Sequence, residues 1–254
     1  MKNTFLLSQF FLKDLVYRKI FFVALGLGMS FVVLSLLLGP LSYNEEARLA
    51  INFSLAGSQI ALIFLSVLVG ADFIKLDIEN QSIHSFLARP ISRFQFFISK
   101  FCAFAACLLF LSFFMWLGFY LVSSVTGLES SFKSVLPFVG VYIESLILFS
   151  FATTVSLFAS SLMTVGASFT LFLVGHFVEM LRQLEKSDDL VAKVFGSIIT
   201  KIIPNLESLN WKAHLTYNEW VSSISYFKFS LYGLSWVFFL LAVGYLIFSK
   251  KDFT

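Results

Sequence analysis

The chain has 254 residues, of which 58% are hydrophobic and 13% charged, including 34 Phe, and its mean hydropathy is +0.88. No water-soluble fold of this length could hide that much apolar surface, so the composition excludes a soluble domain and leaves a protein that faces lipid. A formal charge of +3 gives no case for nucleic acid, and what matters is where the basic residues sit.

Residues 1–19 come first. The stretch 4–19 is rich in Phe, Leu and Lys and predicts a helix lying along the inner membrane surface. The run Ile20 to Leu41 follows and is too long for the core of a signal peptide, so it reads as the first membrane span. Further runs at 49–70, 101–126, 135–159, 162–181 and 230–248 each approach the ~20 residues a helix needs to cross the hydrocarbon. The expected fold is therefore all-α and polytopic, with six transmembrane helices in a single domain over 1–254. Only Ser160 and Ser161 divide the fourth and fifth runs, which predicts a helical hairpin with a tight polar turn.

The short flanks set an expected orientation. Lys2, Lys13, Arg18 and Lys19 precede the first span, Lys75, Arg89, Arg93 and Lys100 follow the second, and Lys250 and Lys251 follow the last. Basic residues collect on the cytoplasmic side, so both termini are expected inside. The opposite loops are poorer, with Arg48 beside Glu45 and Glu46, and Lys133 beside Glu129.

The link 71–100 holds the most distinctive pattern. Pro90 disfavours helix at Arg89, so a helix arriving from Ser82 should end near Ala88. Ser92 and Gln95 have capping-box spacing and can restart the chain as the third span. Ile83, Phe86 and Leu87 then form an apolar tooth at i, i+3, i+4, flanked by Glu79, His84, Arg89 and Arg93. Pattern alone leaves two uses for this helix, docking a partner or packing back on its own bundle.

Within the third span Cys102 and Cys107 are five positions apart, which turns them to different faces and argues against a bridge. Glu144 is the carboxylate well inside a span, and an intramembrane acid is a functional candidate by default. Counting ~1.5 Å per residue from Pro137 and from Arg182 puts Glu144 and His176 at similar depth, about 10 Å below the outer boundary. They are expected either to face each other, with Glu179 one turn further out, or to leave Glu144 snorkelling into an outer cavity. Asn52, Ser54, Ser58, Gln59, Thr153, Thr154 and Ser156 are the other polar positions, readable as a pathway or as interhelical glue.

The segment 182–228 contains a strongly amphipathic run, Leu190 to Ile203, stopped by Pro204. It is too short for a core of its own and is expected to lie on the outer membrane surface or over the pathway. Trp211, Tyr217, Trp220 and Tyr226 then read as an interfacial aromatic belt.

Enzymatic motifs are weak. Glu45-Glu46-Ala-Arg48 lacks the spacing of intramembrane prenyl-protein proteases, His176-Phe-Val-Glu179 lacks a third metal ligand, and no G-x-x-x-x-G-K-[ST] occurs. No catalytic residue, metal or cofactor is assigned.

The run Glu79-x-x-Ser82-Ile83, then Leu87-Ala88-Arg89-Pro90-Ile91-Ser92-Arg93 and Lys100, resembles the link between the second and third spans of ABC type-2 transporter permeases. Two glycines of that pattern are replaced by Gln81 and Ser99. Pro204-Asn205-Leu206 and the ending Phe248-Ser-Lys-Lys-Asp252-Phe253 are similar to the family as well. The resemblance implies a type V exporter-like bundle in a bacterial cytoplasmic membrane. It also implies a second permease subunit, as homodimer or heterodimer, and a separate ATP-binding subunit that drives alternating access. Glu79, Ser82, Ile83, Phe86, Leu87, Arg89, Pro90 and Arg93 would be the ATPase-coupling residues, and Glu144, His176, Glu179 and Gln59 the intramembrane polar candidates. The competing reading is a non-transporting membrane scaffold, and behind it an intramembrane hydrolase.

Overall fold

A computed structural model describes residues 2–38, 46–79, 91–125, 132–183, 190–217 and 221–251. The regular elements among the described residues are all helical, in the order α1 Lys2–Tyr17, α2 Lys19–Leu38, α3 Glu46–Asp72, α4 Lys75–Glu79, α5 Arg93–Val125, α6 Val135–Ser156, α7 Ser161–Leu181, α8 Leu190–Ile202, α9 Lys212–Thr216 and α10 Ser223–Lys250, with 3-10 turns at Phe132–Ser134 and Glu207–Leu209. Among the described residues, α2, α3, α5, α6, α7 and α10 contain stretches long and apolar enough to cross a membrane. Helix suits these sequences because it satisfies its own backbone hydrogen bonds where lipid offers none.

Helices α3 and α6 form the centre of the bundle. In each, 72% of the apolar stretch is buried, against 28%, 22% and 28% in α2, α7 and α10. Helix α2 packs on α3, α10 on α6, and α7 against both, while α5 closes the side where α1 lies. The outward faces of the peripheral helices carry Phe22, Leu37, Leu162, Leu173, Phe177, Phe238 and Leu246, as lipid contact requires.

The end of the bundle that carries α1 and the end of α10 is held by aromatic and polar contacts. Phe149 of α6 stacks on Phe104 of α5 with ring centroids 3.8 Å apart and meets Phe73 edge-on at 4.8 Å. Helix α5 starts at Arg93, eight residues before the apolar run that marks it in the sequence. Its start is a formed capping box, with the Ser92 amide donating to Gln95 Oε1 at 3.1 Å and the Gln95 amide to Ser92 Oγ at 3.2 Å. The turn between α6 and α7 ends on Ser160, whose hydroxyl accepts from the Met163 amide.

One expectation about side chains needs correction. Trp211 and Tyr226 do not form an interfacial belt: they are 2% and 7% exposed and meet edge-on at 5.0 Å. The Trp211 indole donates to the Ser208 carbonyl at 2.9 Å and the Tyr226 hydroxyl bonds His214 Nδ1 at 2.9 Å, so each polar tip finds its partner inside the protein. Trp220 lies outside the described residues, and Tyr217 is exposed, beneath the guanidinium of Arg48. The cysteines are free, Cys102 exposed and Cys107 buried.

Candidate functional site

At the far end of the bundle the chain after α8 folds back over the membrane helices. Pro204, Leu206, Leu209 and Trp211 are buried, and the Leu206 amide donates to the Gly175 carbonyl of α7 at 3.0 Å. Two glycines make the approach possible. A Cβ at Gly140 of α6 would stand 2.3 Å from the Leu209 carbonyl oxygen, and one at Gly175 would stand 2.7 Å from Leu206 Cγ and Cδ1. We call residues 204–217 the strap.

Beneath the strap lies a polar cluster drawn from five elements. Glu144 of α6 is 1% exposed. The Gln59 amide nitrogen, from α3, donates to both carboxylate oxygens at 3.0 and 3.3 Å. The Gln59 oxygen accepts from the ammonium of Lys212 on α9, so both faces of this amide are used and its orientation is fixed. His176 Nε2, from α7, is 3.5 Å from Glu144 Oε1 and 3.9 Å from Oε2 of Glu207 in the strap. Glu207 also accepts from Asn210 Nδ2 at 3.0 Å.

The hydrogen-bond pattern restricts where protons sit. His176 Nδ1 is 3.1 Å from the Phe172 carbonyl, which can only accept, so Nδ1 carries a hydrogen. Nε2 then bonds Glu144 only if one further proton is shared between the imidazole and the carboxyl. Lys212 lies outside the spans, and burial pushes its ammonium below the ordinary lysine range, while Glu144 and Glu207 raise it in part.

The remaining polar span residues are mostly satisfied locally. Ser58, Ser145, Ser150 and Ser156 return their hydroxyls to carbonyls of their own helix, and Thr154 bonds both Ser150 and the Leu240 carbonyl of α10. Of these, Thr154 ties two helices together, while the serines bond within their own. Glu179 stands away from the cluster, paired at the surface with Arg182 at 2.9 Å and Asn205 Nδ2 at 3.3 Å. Gln59, Glu144 and His176 are thus brought together as span residues, whereas Lys212 and Glu207 escape the sequence. They sit in a stretch without helical periodicity, where a lysine following a tryptophan looks like ordinary surface.

At the opposite end, the link's two flanks are bolted to the bundle. Lys100 of α5 donates to Asp77 of α4 and to the Phe73 carbonyl, with its ammonium 4.8–5.4 Å from the ring centres of Phe11, Phe73 and Phe96. Arg93 donates to the Ser249 and Lys251 carbonyls at 2.8 and 3.1 Å, which caps α10. Lys75 and Asp72 both bond the Ser161 hydroxyl at the start of α7. Glu79 ends α4, while Ser82, Ile83, Phe86, Leu87, Arg89 and Pro90 lie outside the described residues. Among the described residues no three His, Cys, Asp or Glu side chains converge as a metal site.

Residues 44–253 match the model of the ABC-2 family transporter protein. The chain belongs to this family. No curated protein matches it. As an ABC-2 family member it is a multi-pass membrane subunit of a transporter, of a family that has no catalytic activity itself and works with an ATP-binding partner. Both ends of this ABC-2 subunit therefore carry buried charge, the link flanks at one and the strap at the other.

Proposed function

We propose that residues 1–254 form one permease domain of an ATP-driven exporter in a bacterial cytoplasmic membrane, with both termini in the cytoplasm. Two such subunits pair, and an ATP-binding subunit docks on the link through Ile83, Phe86 and Leu87, flanked by Glu79, Ser82, Arg89, Pro90 and Arg93. Nucleotide-driven closure of the ATPase then rocks the bundles between inward-open and outward-open states.

The observation that carries this reading is the anchoring of the link flanks. Asp77 is tied to α5 and α1 through Lys100, Arg93 to α10, and Lys75 with Asp72 to α7. A displacement of the link is delivered to most of the bundle at once, because buried charged contacts resist separation. Phe86→Asp tests the docking: the variant should insert normally but lose its co-purifying ATPase, or that ATPase's stimulation, because a charge enters a contact that excludes water. Unchanged stimulation would place the contact elsewhere.

A further inference from the structure

We propose that Lys212 is a tethered hydrogen-bond donor that latches the strap, through Gln59, to the intramembrane acid at Glu144, and that this latch opens and closes in each transport cycle. The inference rests on the alternating-access reading above and names its outer gate.

The cluster is assembled only when three spans and the strap are together. Gln59 comes from α3, Glu144 from α6 and His176 from α7, while Lys212 and Glu207 come from the strap. The charged or titratable groups facing one another here are Glu144, His176, Lys212 and Glu207, and His214 on the same strap turns away to Tyr226 of α10. Parting α3 from α6 at this end would strip Glu144 of its amide donor and Lys212 of its acceptor together. Half-open arrangements therefore leave a buried unpaired charge, whereas a fully open one hydrates every member. Such a contact has two favourable states and disfavours those between, as a gate requires.

Leu206, Leu209 and Trp211 seat the strap on α6 and α7, while polar contacts join its α9 end to α3. Helix α9 spans only Lys212–Thr216, too short to persist without its dock. A further polar tie of α9 to α3 is the Thr216 hydroxyl, donating to Asn52 Oδ1 at 3.1 Å. Lys212 thus couples the position of the strap to the separation of the central helices.

The Asn52 to Thr216 contact supplies the test. Asn52→Cys/Thr216→Cys is prepared with Cys102 and Cys107 changed to Ala, reconstituted in liposomes with its ATPase partner, and joined by oxidation or a short thiol cross-linker. Expected are joining in the resting protein, a loss of Mg-ATP turnover of about tenfold or more, and recovery on reduction, the reduced form of the same variant being the reference. In the uncross-linked protein Lys212→Arg should keep turnover and Lys212→Met should not. Full turnover in the joined protein would overturn the latch while leaving the permease reading intact, as would thiols that fail to meet. Absence of any ATPase partner or ATP turnover in the reduced complex would overturn both.

Discussion

Gln59 and Glu144 are joined twice across the central helix pair, the Gln59 amide nitrogen lying 3.0 and 3.3 Å from the two carboxylate oxygens. One neutral side chain thereby spans the seam between α3 and α6 and presents its remaining oxygen to the strap. An acid buried in the membrane interior is costly unless donors surround it, and this amide meets that need without bringing in a second full charge.

Removing the amide should expose that cost. Gln59→Leu leaves a buried acceptor without its donor, a loss of about 1–3 kcal/mol. Thermal unfolding in detergent should show a lowered midpoint, and Gln59→Leu/Glu144→Leu should cost less than the sum of the single changes. Additive losses would mean that the two residues act independently.

Gly140 makes room for the strap, so a methyl group there is informative. The new Cβ would stand 2.3 Å from the Leu209 carbonyl oxygen, and backbone has to shift. Gly140→Ala should cost about 1–3 kcal/mol and speed hydrogen exchange across 204–217 while α3 stays protected. Unaltered exchange in the strap would contradict its tight seat.

The docked Lys212 holds its proton less firmly than a free lysine, because burial outweighs the attraction of Glu144 and Glu207. Docking therefore releases protons, and it strengthens as pH rises toward the ordinary lysine value of 10.5. Spin labels at Ala213 and Val139, both exposed, should give a narrower and shorter distance distribution at alkaline than at neutral pH. The dependence should vanish in Lys212→Met, which separates Lys212 from the nearby Glu144, His176, Glu207 and His214. A trend in the opposite direction would refute the assignment.

At the other end, Lys100→Met takes the ammonium away from Asp77 and from the box of Phe11, Phe73 and Phe96. Lys100 is buried and Asp77 half-buried, so removing one partner costs up to about 3–5 kcal/mol. Proteolysis should find α1 released from α5, and ATPase stimulation should fall with it. A variant with α1 still protected would show that the apolar contacts of Phe11 and Leu15 suffice.

The orientation can be tested independently. A reporter fused after Thr254 should be active only in the cytoplasm, and tags at Asn44 and Ser187 should be reachable from outside. Inner accessibility of both tags would invert the proposed direction of the strap.

Six spans are legible from sequence because each helix satisfies its own backbone, so length and apolarity decide the matter without knowledge of neighbours. The capping box at Ser92 and Gln95 and the acid at Glu144 are local facts of the same kind, and depth counting brings His176 level with Glu144. Which faces meet is not local. Helices buried in an apolar medium carry little amphipathic periodicity to show their orientation, so Gln59 reads equally as glue, lining or partner until α3 is set against α6. The strap is the plainest case: Trp211 and Tyr226 have the composition of an interfacial belt, yet both turn inward. The approach of the chain at Gly140 and Gly175, a contact between residues far apart in sequence, brings Lys212 to Gln59. Sequence alone determined that an acid lies within the membrane; only the tertiary structure decided that Gln59 answers it and links it to Lys212, because that choice depends on packing across five separate elements.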